Sequence, residues 1–185
     1  MELPKRKALR LKNYDYSTPG MYFITLCTKH HKELLSKIEV GTGLPDCPKN
    51  KLTQYGEIAN SQLSAMSDYY ENIKIEKYVI MPNHIHMIIH ILEKEIAYGQ
   101  SGTPVPTISS EAKSKLEMSN SLIPKFVATF KRFCNKEYGE NIWQSRYHDH
   151  IIRNTADFEK IWNYIDTNPL RWELDCFYNA KATAE

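Results

Sequence analysis

The chain has 185 residues, 42% hydrophobic and 25% charged, with a net charge of only +2. That is long enough for one domain, 1–185, with a real core. It holds no run of about 18 apolar residues and no apolar stretch behind its basic start, so neither a membrane span nor a secretory signal is expected. Cys27, Cys47, Cys134 and Cys176 are far apart and make no CxxC pair, which fits reduced thiols in a cytoplasmic protein and argues against a zinc finger. With so small a net charge, any nucleic-acid binding must come from local patches.

In chain order, Lys5, Arg6, Lys7, Arg10 and Lys12 form a basic arm, read first as a solvated terminus and second as a phosphate contact. After the turn Ser17-Thr18-Pro19-Gly20, the run MYFITLCT over 21–28 is rich in aromatic and β-branched residues and predicts a central strand. The segment 41–51 is a Gly/Pro loop, followed by a helix over 52–70 with Ile58, Leu63 and Met66 in its stripe. Residues 74–81 predict a second strand, which turns at Pro82-Asn83 into a third.

That third strand, HIHMIIHI, alternates strictly: Ile85, Met87, Ile89 and Ile91 on one side, His84, His86, Ile88 and His90 on the other. The period is that of a half-buried strand. His84 and His86, two apart, project the same way and are close enough to grip one metal ion; the plainer reading is a polar strand face that carries histidines.

From 93 to 120 the pattern dissolves into a long variable loop. Ser121 is placed to cap a helix over 122–138, with Ile123, Phe126, Val127, Phe130 and Phe133 inward and Lys125, Lys131, Arg132 and Lys136 outward. The basic side reads equally as a solvated flank or as a DNA-backbone contact. Residues 143–153 (WQSRYHDHIIR) predict a fourth strand with His148 and His150 on one face and Asp149 on the other. Asn154 or Thr155 then caps a last helix whose stripe is Phe158, Ile161, Trp162 and Ile165. Tyr164 and Asn168 lie one turn apart on its flank, and Pro169 disfavours helical geometry at Asn168. The order β-α-β-β-α-β-α predicts an α+β fold: a ferredoxin-like (RRM-like) antiparallel sheet, helices on one face, and an added C-terminal helix carrying the tyrosine.

The ordered set MPNHIHMIIHI, IWQSRYHDHIIRN and FEKIWNYIDTNP, with the earlier RLKNYDYSTPGMYFITLCT, resembles the HUH single-strand DNA transposases with one catalytic tyrosine, and most closely the REP-associated tyrosine transposases. The resemblance implies that His84 and His86 hold a divalent metal, Mg2+ or Mn2+, that Tyr164 is the nucleophile, and that Asn168 supplies a third ligand directly or through water. It implies a single-stranded or hairpin DNA substrate, cut and rejoined through a 5′-phosphotyrosine. Arg153 and Asp149 fall in the family-like segment, as a DNA contact and a brace for the site, with a structural salt link the equal alternative. His90, two further along the same face, reads as a residue behind the histidine pair or a structural one rather than as a ligand. Family members include both homodimers with shared active sites and monomers. Two other readings remain: a domesticated hairpin-binding protein without strand transfer, and a hydrolytic metalloenzyme using His148 or His150.

Overall fold

A computed structural model describes residues 14–39, 48–93 and 121–178. The basic arm, Cys47, and most of the 41–51 and 93–120 segments lie outside the described residues. The elements are β1 (Gly20–Cys27), β2 (Ser36–Glu39), β3 (Lys49–Leu52), α1 (Gln54–Tyr69), β4 (Ile73–Ile80), β5 (His84–Ile91), α2 (Leu122–Tyr138), β6 (His148–Ile152) and α3 (Thr155–Thr167). Short 3-10 turns occupy Lys29–His31 and Pro169–Leu174.

The fold is α+β, built on a four-stranded antiparallel sheet in the order β4-β5-β1-β6. β5 and β1 are therefore interior strands, and alternation dictates two separate packing faces. On one face Tyr22, Ile24, Leu26, Ile85, Met87 and Ile89 pack against Leu63 and Met66 of α1 and Phe126 and Phe130 of α2. On the other, Ile88 packs against Ile161 and Ile165 of α3, with Phe23, Val79, Ile152 and Trp162 around them. Because α3 covers the second face, the histidine strand is buried on both sides rather than half-buried: His84, His86 and Ile88 are almost wholly inaccessible.

Several boundaries differ from expectation, each for a physical reason. Residues 49–51, expected in a loop, belong to β3, which pairs with β2 as a separate hairpin; Ser36 Oγ and Asn50 Nδ2 both donate to the Ile80 carbonyl and so tie it to β4. α1 buries Ala59, Leu63 and Met66, while Ile58 is only half-buried. Only the end of the expected 143–153 strand is one. Trp143 makes an isolated bridge to Thr28, and the chain beyond it is pinned by Lys131 Nζ, which donates to the carbonyls of Gln144 at 2.7 Å and Arg146 at 3.3 Å. The Ser121 side chain does not cap α2; the Leu122 amide donates instead to Ser17 Oγ at 3.0 Å. Among the described residues no helix is long and apolar enough to cross a membrane.

Candidate active site

The β4–β5 turn sets the first imidazole. Asn83 is buried and its Nδ2 donates to the carbonyls of Phe177 at 2.8 Å and His31 at 3.2 Å. Two carbonyl partners require the NH2 end there, so Asn83 Oδ1 is an acceptor toward His84 Nδ1, 2.8 Å away. His84 Nδ1 therefore carries the proton, and Nε2 presents a bare lone pair. That Nε2 is buried without a hydrogen-bond partner, an expensive state for an isolated polar atom and the state a metal-ligating histidine needs.

The second imidazole is set by β1. Register puts Thr25 opposite His86, and Thr25 Oγ1 lies 2.8 Å from His86 Nδ1. The Phe23 ring stacks on His86 at 5.1 Å between centroids. His86 Nε2 faces the Tyr164 hydroxyl at 3.2 Å. Burial, with His31 nearby, pushes His84 down to about 3; burial, with His84 nearby, holds His86 well below the ordinary range although Asp175 opposes it. Both rings are neutral near pH 7, as ligation requires.

The tyrosine comes from α3, capped by Asn154 Oδ1 accepting from the Asp157 amide at 2.9 Å. Ile161 and Ile165 seat the helix on Ile88 and leave Tyr164 at the rim, 38% exposed. Its hydroxyl donates to Asp175 Oδ2 at 3.2 Å. Burial and the adjacent Asp175 carboxylate raise its pKa above the normal phenol value, so the group is protonated at neutral pH.

Asn168 ends α3, buried and still helical at φ −59, ψ −44. The α-helix breaks here as expected, but Asn168 itself keeps helical angles, because the chain continues directly into the Pro169–Leu174 turn with proline at its start, where no amide donor is needed. Asn168 Nδ2 donates to Asp175 Oδ2 at 2.9 Å. The strap after the turn closes over the site: Phe177 lies on His84 at 4.7 Å and on His31 at 5.4 Å.

The result is a set of donor atoms from His84, His86 and Asp175 lying within 4.8 Å of one another, able to hold a metal ion. Two imidazoles and a carboxylate, one imidazole nitrogen being an orphaned lone pair, fit a divalent cation by chemistry as well as by spacing. The sequence reading missed Asp175, because it follows a proline in a stretch with no periodicity to mark a face. It also assigned nothing to His31 or Thr25.

The remaining predicted residues lie elsewhere. His90 is beyond Ile88 on the strand and pairs with Glu76 at 3.1 Å, so it does not support the histidine pair directly. Asp149 is opposite Ile24 in register and so faces the α1–α2 side, away from His86. His150, on the histidine face, binds Asp157 at 2.8 Å. Lys125 and Arg132 are exposed on α2, the helix of the opposite face. Lys131 is occupied by its two carbonyls, and burial brings it down to about 8, a structural pin rather than a free basic contact. Arg153 is exposed where β6 meets α3.

No family model matches the chain. It is 30% identical over 179 residues to an uncharacterised protein of Haemophilus influenzae, covering 94% of this chain and 93% of that one. A second Haemophilus influenzae protein, provisionally named a REP-associated tyrosine transposase, is 26% identical over 165 residues, 87% of this chain and 77% of that one. The fold is similar to that of a REP-associated tyrosine transposase solved bound to a REP hairpin, with a TM-score of 0.54 and 19% identity over 88% of this chain and 73% of that one. Near full-length sequence similarity to the provisionally named relative and a shared fold with the solved transposase make this chain REP-associated tyrosine transposase-like.

Proposed function

We propose that this transposase-like protein cleaves and rejoins single-stranded DNA beside a hairpin, in the cytoplasm, with Tyr164 as nucleophile. The observation that carries the reading is the Tyr164 hydroxyl, 3.2 Å from His86 Nε2, at the edge of the His84–His86–Asp175 cluster. A phenol with no chemistry to do has little reason to stand on two potential metal donors at a half-open rim. The hairpin substrate is taken from the relative solved with one.

His84 and His86, with a third oxygen donor, would hold the ion, Mg2+ or Mn2+; when bound it supplies Lewis-acid polarisation of the scissile phosphate and fixes its orientation. The chain's own residues do the rest. Tyr164 is seated by Ile161 and Ile165 so that its oxygen is presented to a phosphorus entering from the exposed side. As the Oη–P bond forms, the P–O3′ bond breaks. The phenol gives up its proton and the departing 3′-oxygen takes one up, so the exchange is neutral overall. Because the raised pKa keeps Tyr164 protonated, a base must act as attack begins, and Asp175 Oδ2, which accepts from the hydroxyl at 3.2 Å, is placed to do so. The product is a 5′-phosphotyrosine with a free 3′-hydroxyl, and the reverse exchange joins strands without ATP.

The test is covalent capture. Purified protein mixed with labelled hairpin DNA bearing a single-stranded flank should give an SDS-stable adduct in Mn2+ or Mg2+. EDTA, Tyr164→Phe or His84→Ala should each abolish it. Cleavage that survives Tyr164→Phe would move the assignment to a hydrolase, and tight binding with no adduct to a domesticated hairpin binder.

A further inference from the structure

Just past β1 the chain makes a basic turn, Lys29-His30-His31-Lys32. His30 and His31 have positive φ, 57° and 52°, the only non-glycine pair of this kind among the described residues. Such strained backbone persists only where its surroundings hold it, and it gathers at functional sites. Here the surroundings are the active site. The His31 carbonyl accepts from Asn83 Nδ2 at 3.2 Å, and its ring lies 5.4 Å from that of Phe177. Gln144 Nε2 stands 3.1 Å from His31 Nε2 on the other side. The turn is thus joined both to the residue that orients His84 and to the ring that covers it. Thr25 is opposite His86 and Cys27 opposite His84, so the line from Tyr164 past the two histidines runs on to this turn.

Its charge is free. Lys29, His30 and Lys32 are exposed, as is Arg146, two residues beyond Gln144. Among the described residues neither lysine nor Arg146 is in an ion pair. The neighbouring acid, Glu33, buries one of its carboxylate oxygens instead of meeting them. Lys131 pins the Arg146 carbonyl at 3.3 Å, which fixes the backbone that carries the guanidinium. By contrast, Lys125 and Arg132 stand on the helix of the opposite face.

We propose that Lys29, Lys32 and Arg146 hold the phosphates of the bound single strand where it leaves the metal site on the His84 side. The proposal rests on the DNA-processing reading above, and it moves the expected DNA-backbone contact from α2 to this turn. A net charge of +2 gives the molecule little general attraction for DNA, so a local cluster beside the reacting phosphate has to supply it. Each phosphate so neutralised releases counterions, which makes the contact countable by its salt dependence.

The experiment is fluorescence anisotropy of a labelled hairpin with a single-stranded flank, across a NaCl series in EDTA. It uses the full chain in the Tyr164→Phe background, which forms no adduct. Lys29→Ala, Lys32→Ala and Arg146→Ala should each lower the slope of log affinity against log salt by about 0.7, and the triple variant by about 2. The control, Lys125→Ala/Arg132→Ala, should keep the parent slope. On a blunt hairpin without the flank, the triple variant and its parent should bind alike. Calorimetric Mn2+ affinity should also be the same in both, since none of the three side chains is a metal donor. A triple variant with the parent slope, an equal fall in the α2 control, or an equal loss on the blunt hairpin would overturn the proposal. So would a loss of Mn2+ affinity, which would make the turn a support for the metal site instead. A parent that binds the flanked hairpin neither in EDTA nor with Mn2+ would sink the DNA reading itself, and this proposal with it.

Discussion

The site is assembled from atoms whose partners leave one role open. Asn83 spends its NH2 on two carbonyls and its oxygen on His84 Nδ1, so the tautomer of His84 is dictated two bonds from the metal position. The same burial that keeps the ring neutral has a thermodynamic signature. Unfolded, both imidazoles titrate near the usual value of about 6.5; folded, His84 sits at about 3 and His86 is also depressed. Below the unfolded value, the unfolded chain binds more protons. Metal-free stability should then fall as pH drops from about 6.5 toward 3, with a slope of up to about 1.4 kcal/mol per pH unit for each histidine. In EDTA, urea midpoints at pH 7, 6 and 5 should show this decline, and His84→Gln should flatten it. An equal slope in the variant would mean that His84 is not the group held neutral. His84 and His86 could be found in the chain because strand alternation shows that they share a face, whereas Tyr164, one of 12 tyrosines, is marked only by the family resemblance. Asp175 could not be found, since only the tertiary path of the strap brings it back over β5.

At the level of elements, the long periodic pieces were legible and the short ones were not. β1, β5, α2 and α3 occupy nearly the segments their patterns indicate, because each buries an apolar stripe that the sequence repeats. β2 and β3 are four residues each, SKIE and KNKL, too short and too polar for any period to emerge. Their pairing is decided by backbone and side-chain contacts to Leu35 and Ile80, which no local pattern encodes. The same region explains a glycine. Gly56, in the first turn of α1, is buried, and a Cβ there would meet the Leu35 carbonyl oxygen at 2.0 Å. The constraint is contact with rigid backbone, so α1 or the hairpin must move. Gly56→Ala should cost about 1–3 kcal/mol, the usual penalty of overpacking, despite alanine's better helix propensity. A lowered urea midpoint with unchanged slope would show it; a variant as stable as wild type would mean that the helix does not approach Leu35 so closely. Adduct formation at permissive temperature should persist, because α1 packs on the face away from the histidines.

Across the whole molecule, the question is whether one chain completes its own site. Only residues 153 and 154 separate β6 from α3, and β6 pairs directly with β1. So short a link cannot carry the tyrosine helix to another molecule's sheet. The helix is also fastened where it lies: Ile161 and Ile165 sit on Ile88, while Lys77 of β4 stands 3.9 Å over the Trp162 ring and pairs with Asp166. Asp175 follows α3 within the same strap, so the histidines, the tyrosine and the carboxylate all come from one copy. Moving α3 to a partner would expose Ile88 and break the Lys77 contacts on both subunits, with no described alternative to cover them. A site complete in cis should therefore fail to complement. His84→Ala mixed with Tyr164→Phe, each inactive alone, should give no adduct beyond the sum of the two, even after co-refolding. The adduct-forming fraction of wild type should also be constant on dilution when DNA is saturating. Recovery of adduct in the mixture would show that the tyrosine of one copy reaches the histidines of another, and that the β6–α3 connection rearranges in the active assembly.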